Sequence, residues 1–315
     1  MTTVAVVGLG NMGGPMATAL VRAGHTVHGF DLAPEACQEA TEAGVRVTGT
    51  LAEAVARAEA VITMLPAGRH VLDCYRGDSG VLVTAAPGTL LIDCSTIDVA
   101  DARAVHRAAG EAGFTSLDAP VSGGVAGARA AALTFMAGGS PDAFARAEPL
   151  LAAMGHRIVH CGPEGAGQTA KICNNMILGA SMIAVSEAFV LGERLGLSHQ
   201  ALFDVASAAS GRCWALTGNC PVPGPVPGSP ANNDYRPGFA TALMAKDLRI
   251  AANALADTGV NGTLGAHAAA LYAALAEGPN AERDFSSIVE DVRKRSRPHP
   301  PAGPGSLSRT TKETT

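Results

Sequence analysis

The first 31 residues contain a strand, a glycine turn, a helix, a second strand and an acid, and this order restricts the fold more than any other feature. A β-branched run at residues 4–7 leads into Gly8-Leu-Gly-Asn-Met-Gly13, and a second strand-like run at 26–30 ends at Asp31. Gly8 permits the tight turn, Gly10 lets a pyrophosphate approach the backbone, and Gly13 lets the helix pack closely on the strand. Free N–H groups at the helix start favour phosphate. The sequence therefore predicts a dinucleotide site.

Asp31 follows the second strand, 18 residues after Gly13. A carboxylate here would accept hydrogen bonds from the adenosine ribose hydroxyls and would repel a 2′-phosphate. Leu32 and Ala33 provide no arginine to hold such a phosphate, so the predicted cofactor is NAD rather than NADP. Asp31 could instead cap the helix that begins near Pro34, and one carboxylate could serve both purposes.

Strands and helices continue to alternate through the first half of the chain. Strand-like runs lie at residues 45–47, 60–64, 89–93, 114–118, 133–136 and 157–161. Strands joined by helical crossovers predict an α/β fold with a Rossmann-like, doubly wound, mainly parallel sheet. Ligands of such sheets bind beyond the carboxyl ends of the strands. The Gly8 turn and residues 65–66, 95–96 and 119–124 should therefore line one crevice.

The second half of the chain reads as helix only, and it opens with a long apolar helix that runs from about residue 165 to Leu195. We predict a dinucleotide-binding domain at residues 1–163, joined through this helix to an all-helical domain at 164–295. A tail at 296–315, rich in Pro, Ser and Thr, is predicted to be disordered. Polar residues within the long helix indicate a buried helix rather than a membrane span.

Charge and cysteine content exclude several classes of function. The formal net charge of −5 argues against nucleic acid as a partner. The seven cysteines form no C-x-x-C pair and no zinc-spaced set with histidine, so we expect free thiols and no metal site. A strand that starts near Thr3 leaves no room for a signal peptide, and the expected location is the cytoplasm. The apolar second half predicts a homodimer or homotetramer.

Lys171 is the only Lys or Arg between Arg157 and Arg194, and it lies on the long apolar helix. Burying a cation on such a helix is costly. Asn175 projects from the same helix face four residues later. The simpler alternative to a functional role is that Lys171 extends to solvent at the helix start.

Two loops also allow both a structural and a functional interpretation. The backbone N–H groups of Gly123 and Gly124, with the Ser122 hydroxyl, could form a nest for a carboxylate, although an ordinary glycine-rich loop is the alternative. Residues 220–230 contain too much proline for regular structure. They are predicted to form a semi-rigid surface loop that edges the active-site mouth or an oligomer contact.

Four motifs, in this order, resemble those of the β-hydroxyacid dehydrogenase family, and most closely those of the 3-hydroxyisobutyrate dehydrogenases. They are GLGNMGGPM at 8–16, DAPVSGGV at 118–125, GAGQTAKICNNM at 165–176 and KDL at 246–248. Three shorter segments also look like family segments, namely LP at 65–66, DCSTID at 93–98 and DFSSI at 284–288. The resemblance covers about residues 4–292, and the motifs together are far more specific than any one of them.

The resemblance implies roles for individual residues. Lys171 matches the catalytic lysine and Asn175 the asparagine beside it, and the Ser122, Gly123 and Gly124 segment is expected to hold the substrate carboxylate. Trp214 could be a substrate contact or a core residue. Cofactor contacts are expected at Gly8, Leu9, Gly10, Asn11, Met12, Gly13, Asp31, Leu65, Pro66, His70, Thr96 and Lys246. The sequence departs from the family pattern at His70, often Asn in relatives, and at Ala131-Ala132, usually Gly-Thr.

The function implied is NAD-dependent oxidation of 3-hydroxyisobutyrate, or a close 3-hydroxy acid, to the semialdehyde, as in valine catabolism. Lys171 would be the general base in oxidation and the general acid in reduction. Burial and the nearby Lys246 would lower its pKa toward the working range. The alternatives are a tartronate semialdehyde reductase, a 3-hydroxypropionate dehydrogenase, an enzyme acting on imines, or a catalytically silent NAD-binding scaffold.

Overall fold

The computed structural model describes residues 1–296, and all nine of the strands it describes lie in the first half of the chain. They are β1 Thr3–Val7, β2 Thr26–Phe30, β3 Arg46–Val47, β4 Ala60–Thr63, β5 Leu90–Asp93, β6 Thr115–Asp118, β7 Val121–Ser122, β8 Leu133–Gly138 and β9 Gly155–Gly162. The helices between them are α1 Gly13–Arg22, α2 Pro34–Glu42, α3 Leu51–Val55, α4 Gly68–Arg76, α5 Val81–Thr84, α6 Val99–Glu111, α7 Gly124–Arg129 and α8 Pro141–Ala152.

The strand order along the sheet is β3-β2-β1-β4-β5-β6-β8-β7, with β9 paired to β8. Neighbouring strands from β3 to β6 are parallel, which confirms the Rossmann-like fold. The switch point between β1 and β4 is where such sheets bind ligands. Strand β8 is antiparallel to both β6 and β7. Strands β6 and β7 therefore run in the same direction, and the chain reverses between β7 and β8, in the connection that contains α7.

Hydrophobic side chains cover both faces of the sheet. Val4 and Val6 of β1 belong to one core cluster with Leu20 of α1. Ala5 and Val7 point to the other face, into a second cluster. Strands buried on both faces require near-continuous apolar runs, which explains the β-branched segments of the first half.

From residue 166 to residue 296 the elements are helices, apart from two short 3₁₀ turns. The helices are α9 Ala166–Arg194, α10 His199–Ala208, α11 Trp214–Thr217, α12 Thr241–Thr258, α13 Thr263–Ala276 and α14 Ile288–Arg295, and the 3₁₀ turns are Pro230–Asn232 and Phe285–Ser287. The long helix α9 contacts β8, α12, α13 and α14, so it joins the two halves. Within residues 1–296 it alone is long and apolar enough to cross a membrane, but half of its most apolar stretch is buried. These contacts are those of a core helix.

The structure differs from the sequence predictions in three local places. Helices α4 and α5 lie between β4 and β5, where no element was predicted. Helix α4 was not predicted because its sequence shows little apolar periodicity: the only large side chains that it buries are Val71 and Tyr75. The loop expected after Ser122 is instead the start of α7, which begins at Gly124. The second half was predicted to be helix only, but its last helix, α14, is preceded directly by a 3₁₀ turn at Phe285–Ser287.

The proline-rich segment 220–230 was predicted to be a surface loop, but part of it is buried in the core. Cys220 and Val222 are fully buried in a core cluster with Phe189 of α9 and Val289 of α14. Ser229 is buried too, and its hydroxyl donates to the Cys220 carbonyl. Apolar side chains alternate with prolines here, so one side of the segment packs inward. Of the predicted disordered tail, only Ser296 falls within the described residues.

Candidate active site

The glycine turn forms one wall of the crevice at the carboxyl ends of the strands. A Cβ at Gly8 would overlap the Met64 carbonyl oxygen, and a Cβ at Gly13 would lie 2.9 Å from the Gly8 carbonyl carbon. Around Gly10 there is open space, with no atom within 4 Å of a Cβ built there. No side chain caps the start of α1 and no acid lies in its first turn. This turn therefore fits a pyrophosphate, because the backbone at Gly10 is open and, among the described residues, the N–H groups of residues 10–13 have no hydrogen-bond partner.

Asp31 stands at the end of β2, beside the turn. Its Oδ2 accepts a hydrogen bond from the Leu9 N–H at 2.6 Å, and its Oδ1 accepts one from the Ala33 N–H at 2.8 Å. The residue at the N-cap position of α2 is Ala33, so Asp31 is not itself that cap. The carboxylate instead fixes the turn to β2.

The ends of β4 and β5 form the opposite wall. The buried carboxylate of Asp93 accepts hydrogen bonds from the hydroxyls of Thr63 and Ser95, at 2.8 and 2.6 Å. Ser95 Oγ in turn accepts one from the Leu65 N–H at 2.8 Å. Burial raises the pKa of Asp93 to about 6, against the effect of these hydrogen bonds. Asp93 thus holds together the two loops that carry the predicted contacts Leu65 and Thr96, a role that its sequence motif did not predict.

Lys246 reaches this wall from the helical half of the chain. Its Nζ, on α12, donates to the Pro66 carbonyl oxygen at 3.0 Å. The next residue, Asp247, is buried, and its Oδ1 lies 3.9 Å from Lys246 Nζ. Helix α12 therefore closes the crevice over the end of β4.

Lys171 is buried rather than extended to solvent, with 6% of its surface exposed. Its Nζ donates to the Val121 carbonyl oxygen at 2.8 Å, next to Ser122. Burial lowers the pKa of Lys171, the charge of Lys246 lowers it further, and Asp247 opposes both. An amine with a lowered pKa beside a polar loop is a candidate proton-transfer group.

Asn175 lies one turn after Lys171 and is also buried. Its Nδ2 donates to Asp247 Oδ2 at 2.6 Å, so in the structure it bonds to Asp247 and not to Lys171. Burial raises the pKa of Asp247, while Lys171 and Lys246 lower it. The sequence had marked Asp247 only as part of a motif. The structure makes it the carboxylate that faces both lysines.

The Ser122, Gly123 and Gly124 segment faces the same region. Gly123 and Gly124 have φ values of +131° and +60°, a backbone that side chains rarely tolerate. A Cβ at Gly124 would lie 3.0 Å from the Gly238 carbonyl oxygen. The segment is therefore bounded by α9 through Lys171 and by the chain before α12 through Gly238.

The predicted contacts Trp214 and His70 make no side-chain hydrogen bond with these groups among the described residues. Trp214, the first residue of α11, is 58% exposed, which is not the burial of a core residue. No hydrogen bond within residues 1–296 joins its side chain to Lys171 or Ser122. His70 lies in the first turn of α4, after Pro66, and its buried Nδ1 has no partner among the described residues.

The start of α9 is held by Asp118, the first residue of the DAPVSGGV motif. Its Oδ1 accepts a hydrogen bond from the Gly165 N–H at 2.8 Å and lies 2.9 Å from His106 Nε2. A Cβ at Gly167 would lie 2.7 Å from the Asp118 carbonyl oxygen, so the helix start is pressed against the sheet. The sequence carried no local signal for this role, because Asp118 and Gly165 are 47 positions apart.

Two family models match the chain, one for each half. The NAD binding domain of 6-phosphogluconate dehydrogenase matches residues 3–162, and the NAD-binding region of NADP-dependent 3-hydroxyisobutyrate dehydrogenase matches residues 165–292. A probable 3-hydroxyisobutyrate dehydrogenase of Mycobacterium tuberculosis is 56% identical over 94% of this chain and 99% of its own length. The chain belongs to the 3-hydroxyisobutyrate dehydrogenase family. The predicted resemblance is thus confirmed.

Relatives of this chain are named for different substrates. An NAD-dependent L-serine dehydrogenase of Pseudomonas aeruginosa is 46% identical, over 91% of this chain and 97% of its own. A solved structure of a Mycobacterium tuberculosis 3-hydroxyisobutyrate dehydrogenase with L-serine matches with a TM-score of 0.89, 56% identity and coverage of 93% and 99%. The chain is an NAD-dependent oxidoreductase, as predicted, and the family acts on small hydroxy acids.

Proposed function

We propose that the chain oxidises 3-hydroxyisobutyrate, or a close 3-hydroxy acid, to the semialdehyde, as a step of valine catabolism. The observation that carries this proposal is the buried Lys171 amine, bonded to the Val121 carbonyl beside the Ser122 segment. Neutral Lys171 accepts the hydroxyl proton in oxidation, and its ammonium returns the proton in reduction. The Ser122 hydroxyl and the N–H groups of Gly123 and Gly124 hold the carboxylate. Bound NAD accepts the hydride.

The other predicted residues take supporting roles in this proposal. Asn175 orients the substrate hydroxyl from its bond to Asp247, and Trp214 contacts substrate. The cofactor would be held by residues 8–13, Asp31, Leu65, Pro66, His70, Thr96 and Lys246. We propose a domain boundary at residues 163–164, in the turn before α9.

L-Serine is the second candidate substrate, because a 46% identical relative is named for it and a 56% identical structure contains it. It shares with 3-hydroxyisobutyrate a hydroxyl and a carboxylate on the same carbon framework, and differs in bearing an ammonium instead of a methyl group. The same Lys171 and Ser122 contacts would serve both. What distinguishes the two is the polarity of the surface that faces the central carbon.

The test is NADH formation with NAD and a panel of 3-hydroxyisobutyrate, L-serine, 3-hydroxypropionate and glycerate. We expect the highest kcat/KM with 3-hydroxyisobutyrate. A higher value with L-serine, 3-hydroxypropionate or glycerate would reassign the substrate to that acid. No NADH from any of them would reject the proposal in favour of a silent scaffold.

Asp31→Asn is expected to lower the preference for NAD over NADP by at least about 10-fold, or about 1.4 kcal/mol. The side chain keeps its size and loses the charge that repels a 2′-phosphate. The kcat/KM ratio for the two cofactors measures this, with Asp142→Asn on the exposed side of α8 as the control. A native chain that uses NADP as well as NAD would contradict the assignment, and so would an unchanged ratio in Asp31→Asn.

We also propose that a second copy of the chain covers part of the helical half. Exposed apolar side chains recur along and beside α9, including Ile177 at 64%, Leu191 at 60% and Leu195 at 76%. Such surfaces are favourable in homo-oligomers. Light scattering of the purified chain tests this, and a monomer at micromolar concentration would reject it.

A further inference from the structure

The side chain of Gln168 joins the start of α9 to the loop after β5. It lies in the first turn of α9, three residues before Lys171, and is fully buried. Its Nε2 donates to the Ser95 carbonyl oxygen at 2.7 Å, and its Oε1 accepts a hydrogen bond from the Ile97 N–H at 3.2 Å. One amide therefore bonds the main chain on both sides of Thr96.

The backbone of Gln168 is also held by hydrogen bonds at the start of α9. The backbone N–H of Gln168 donates to Asp118 Oδ2 at 2.8 Å, and the other oxygen of Asp118 holds the Gly165 N–H. Ser95 and Ile97 are also buried, with 0% and 1% exposed, so water does not compete for these groups. A fully paired amide in a dry site holds its partners in one geometry.

We propose that Gln168 is a positioning residue, which fixes the Thr96 loop at a set distance from Lys171 through its two hydrogen bonds to Ser95 and Ile97. The inference rests on the proposed function, in which Lys171 transfers the proton and the Thr96 loop contacts the cofactor. A paired polar group in the core could serve stability alone. The position of the bridge, between the helix of the base and the cofactor loop, points to alignment of the reacting groups.

Gln168→Leu removes both hydrogen bonds and is expected to lower kcat about 10–100-fold, because misplacement by about 1 Å can cost that much. The KM of the best panel substrate and the NADH dissociation constant should stay within about 3-fold. Substrate deuterated at the reacting carbon should show a larger isotope effect, since hydride transfer becomes rate-limiting. Gln200→Leu on α10, an exposed glutamine, is the matched control.

Gln168→Glu provides a rescue test. A protonated glutamic acid can donate to Ser95 and accept from Ile97, as the amide does, whereas the ionised form cannot donate. Burial and the nearby Asp118 carboxylate would raise the pKa of this glutamic acid, while the ammonium of Lys171 and the positive end of α9 would oppose them. The ratio of variant to native kcat should therefore be near one at low pH and fall as pH rises.

Three results would overturn the inference: unchanged kcat in Gln168→Leu, a loss of NADH affinity equal to the loss of kcat, or variants that unfold at the assay temperature. Hydrogen exchange at the Ile97 amide tests the bridge without turnover, and faster exchange is expected in Gln168→Leu but not in Gln200→Leu. If the native chain reduces no NAD with the panel, the proposed function fails, and the exchange rate and NADH affinity still decide whether the bridge exists.

Discussion

Replacing Lys171 with alanine should lower kcat by about 10²–10⁴-fold, the usual contribution of a positioned general acid–base group. The buried amine is the group that can exchange a proton beside the Ser122 segment, and its bond to the Val121 carbonyl shows that it points there. NADH should still bind, because within residues 1–296 Lys171 makes no hydrogen bond to the glycine turn or to the Asp31 carboxylate. The loss should therefore appear in turnover and not in cofactor affinity.

Steady-state kinetics and NADH fluorescence titration measure the two effects separately. Lys294→Ala, which removes an exposed lysine on α14, is the matched control and should leave both values unchanged. Lys171→Arg keeps the positive charge but cannot give up its proton, so oxidation should remain low. Small primary amines should restore part of the activity of Lys171→Ala. Retention of most activity without them would show that Lys171 is not the base.

The pH dependence of the native chain follows from the same residue. Oxidation requires the neutral amine, so kcat/KM should rise with pH through the pKa of Lys171 and then level. Because burial lowers that pKa, the rise should be centred below the ordinary value for lysine. Reduction requires the ammonium and should fall with pH over the same interval. Profiles measured in both directions test this, and a rise in both would contradict it.

Short-range patterns in the sequence were enough to predict the fold and the wall of the crevice that carries the glycine turn. The continuous apolar runs, the glycine spacing and Asp31 are local features, and together in that order they indicate a dinucleotide-binding βαβ unit. Strand β8 was predicted but its antiparallel direction was not, because strand direction depends on the chain between strands. Strand β7 was not predicted because it is only two residues long. The buried side of segment 220–230 depends on its contact with α9 and α14, which no local pattern records.

Lys171 and its motif could also be found in the sequence. The hydrogen-bond partners that hold the motif residues in place could not. Lys171 and Asp247 are 76 positions apart, and the pairing of Asn175 with Asp247 exists only after α9 and α12 pack together. The same holds for Gln168 and Ile97, which are joined across 71 positions. Acids and amides of this kind look like ordinary polar residues until the fold shows that they are buried.

Gly13→Ala and Gly10→Ala should have different effects on stability and a shared effect on NAD. A Cβ at Gly13 would overlap the Gly8 carbonyl oxygen and lie 3.4 Å from Met64 Cβ. Both neighbours are backbone or packed core, so α1 must move away from β1. We expect Gly13→Ala to lower the free energy of unfolding by at least about 1–3 kcal/mol and to abolish NAD binding.

Gly10→Ala isolates the cofactor, because no protein atom lies within 4 Å of the added Cβ. Its thermal unfolding should match that of the native chain, while NAD affinity falls as the methyl group occupies the space through which a pyrophosphate approaches the backbone. Gly110→Ala in α6, also with nothing within 4 Å, is the control and should gain up to about 1 kcal/mol without affecting NAD. Native NAD affinity in Gly10→Ala would place the pyrophosphate away from this turn, because the added carbon can obstruct only a bound ligand.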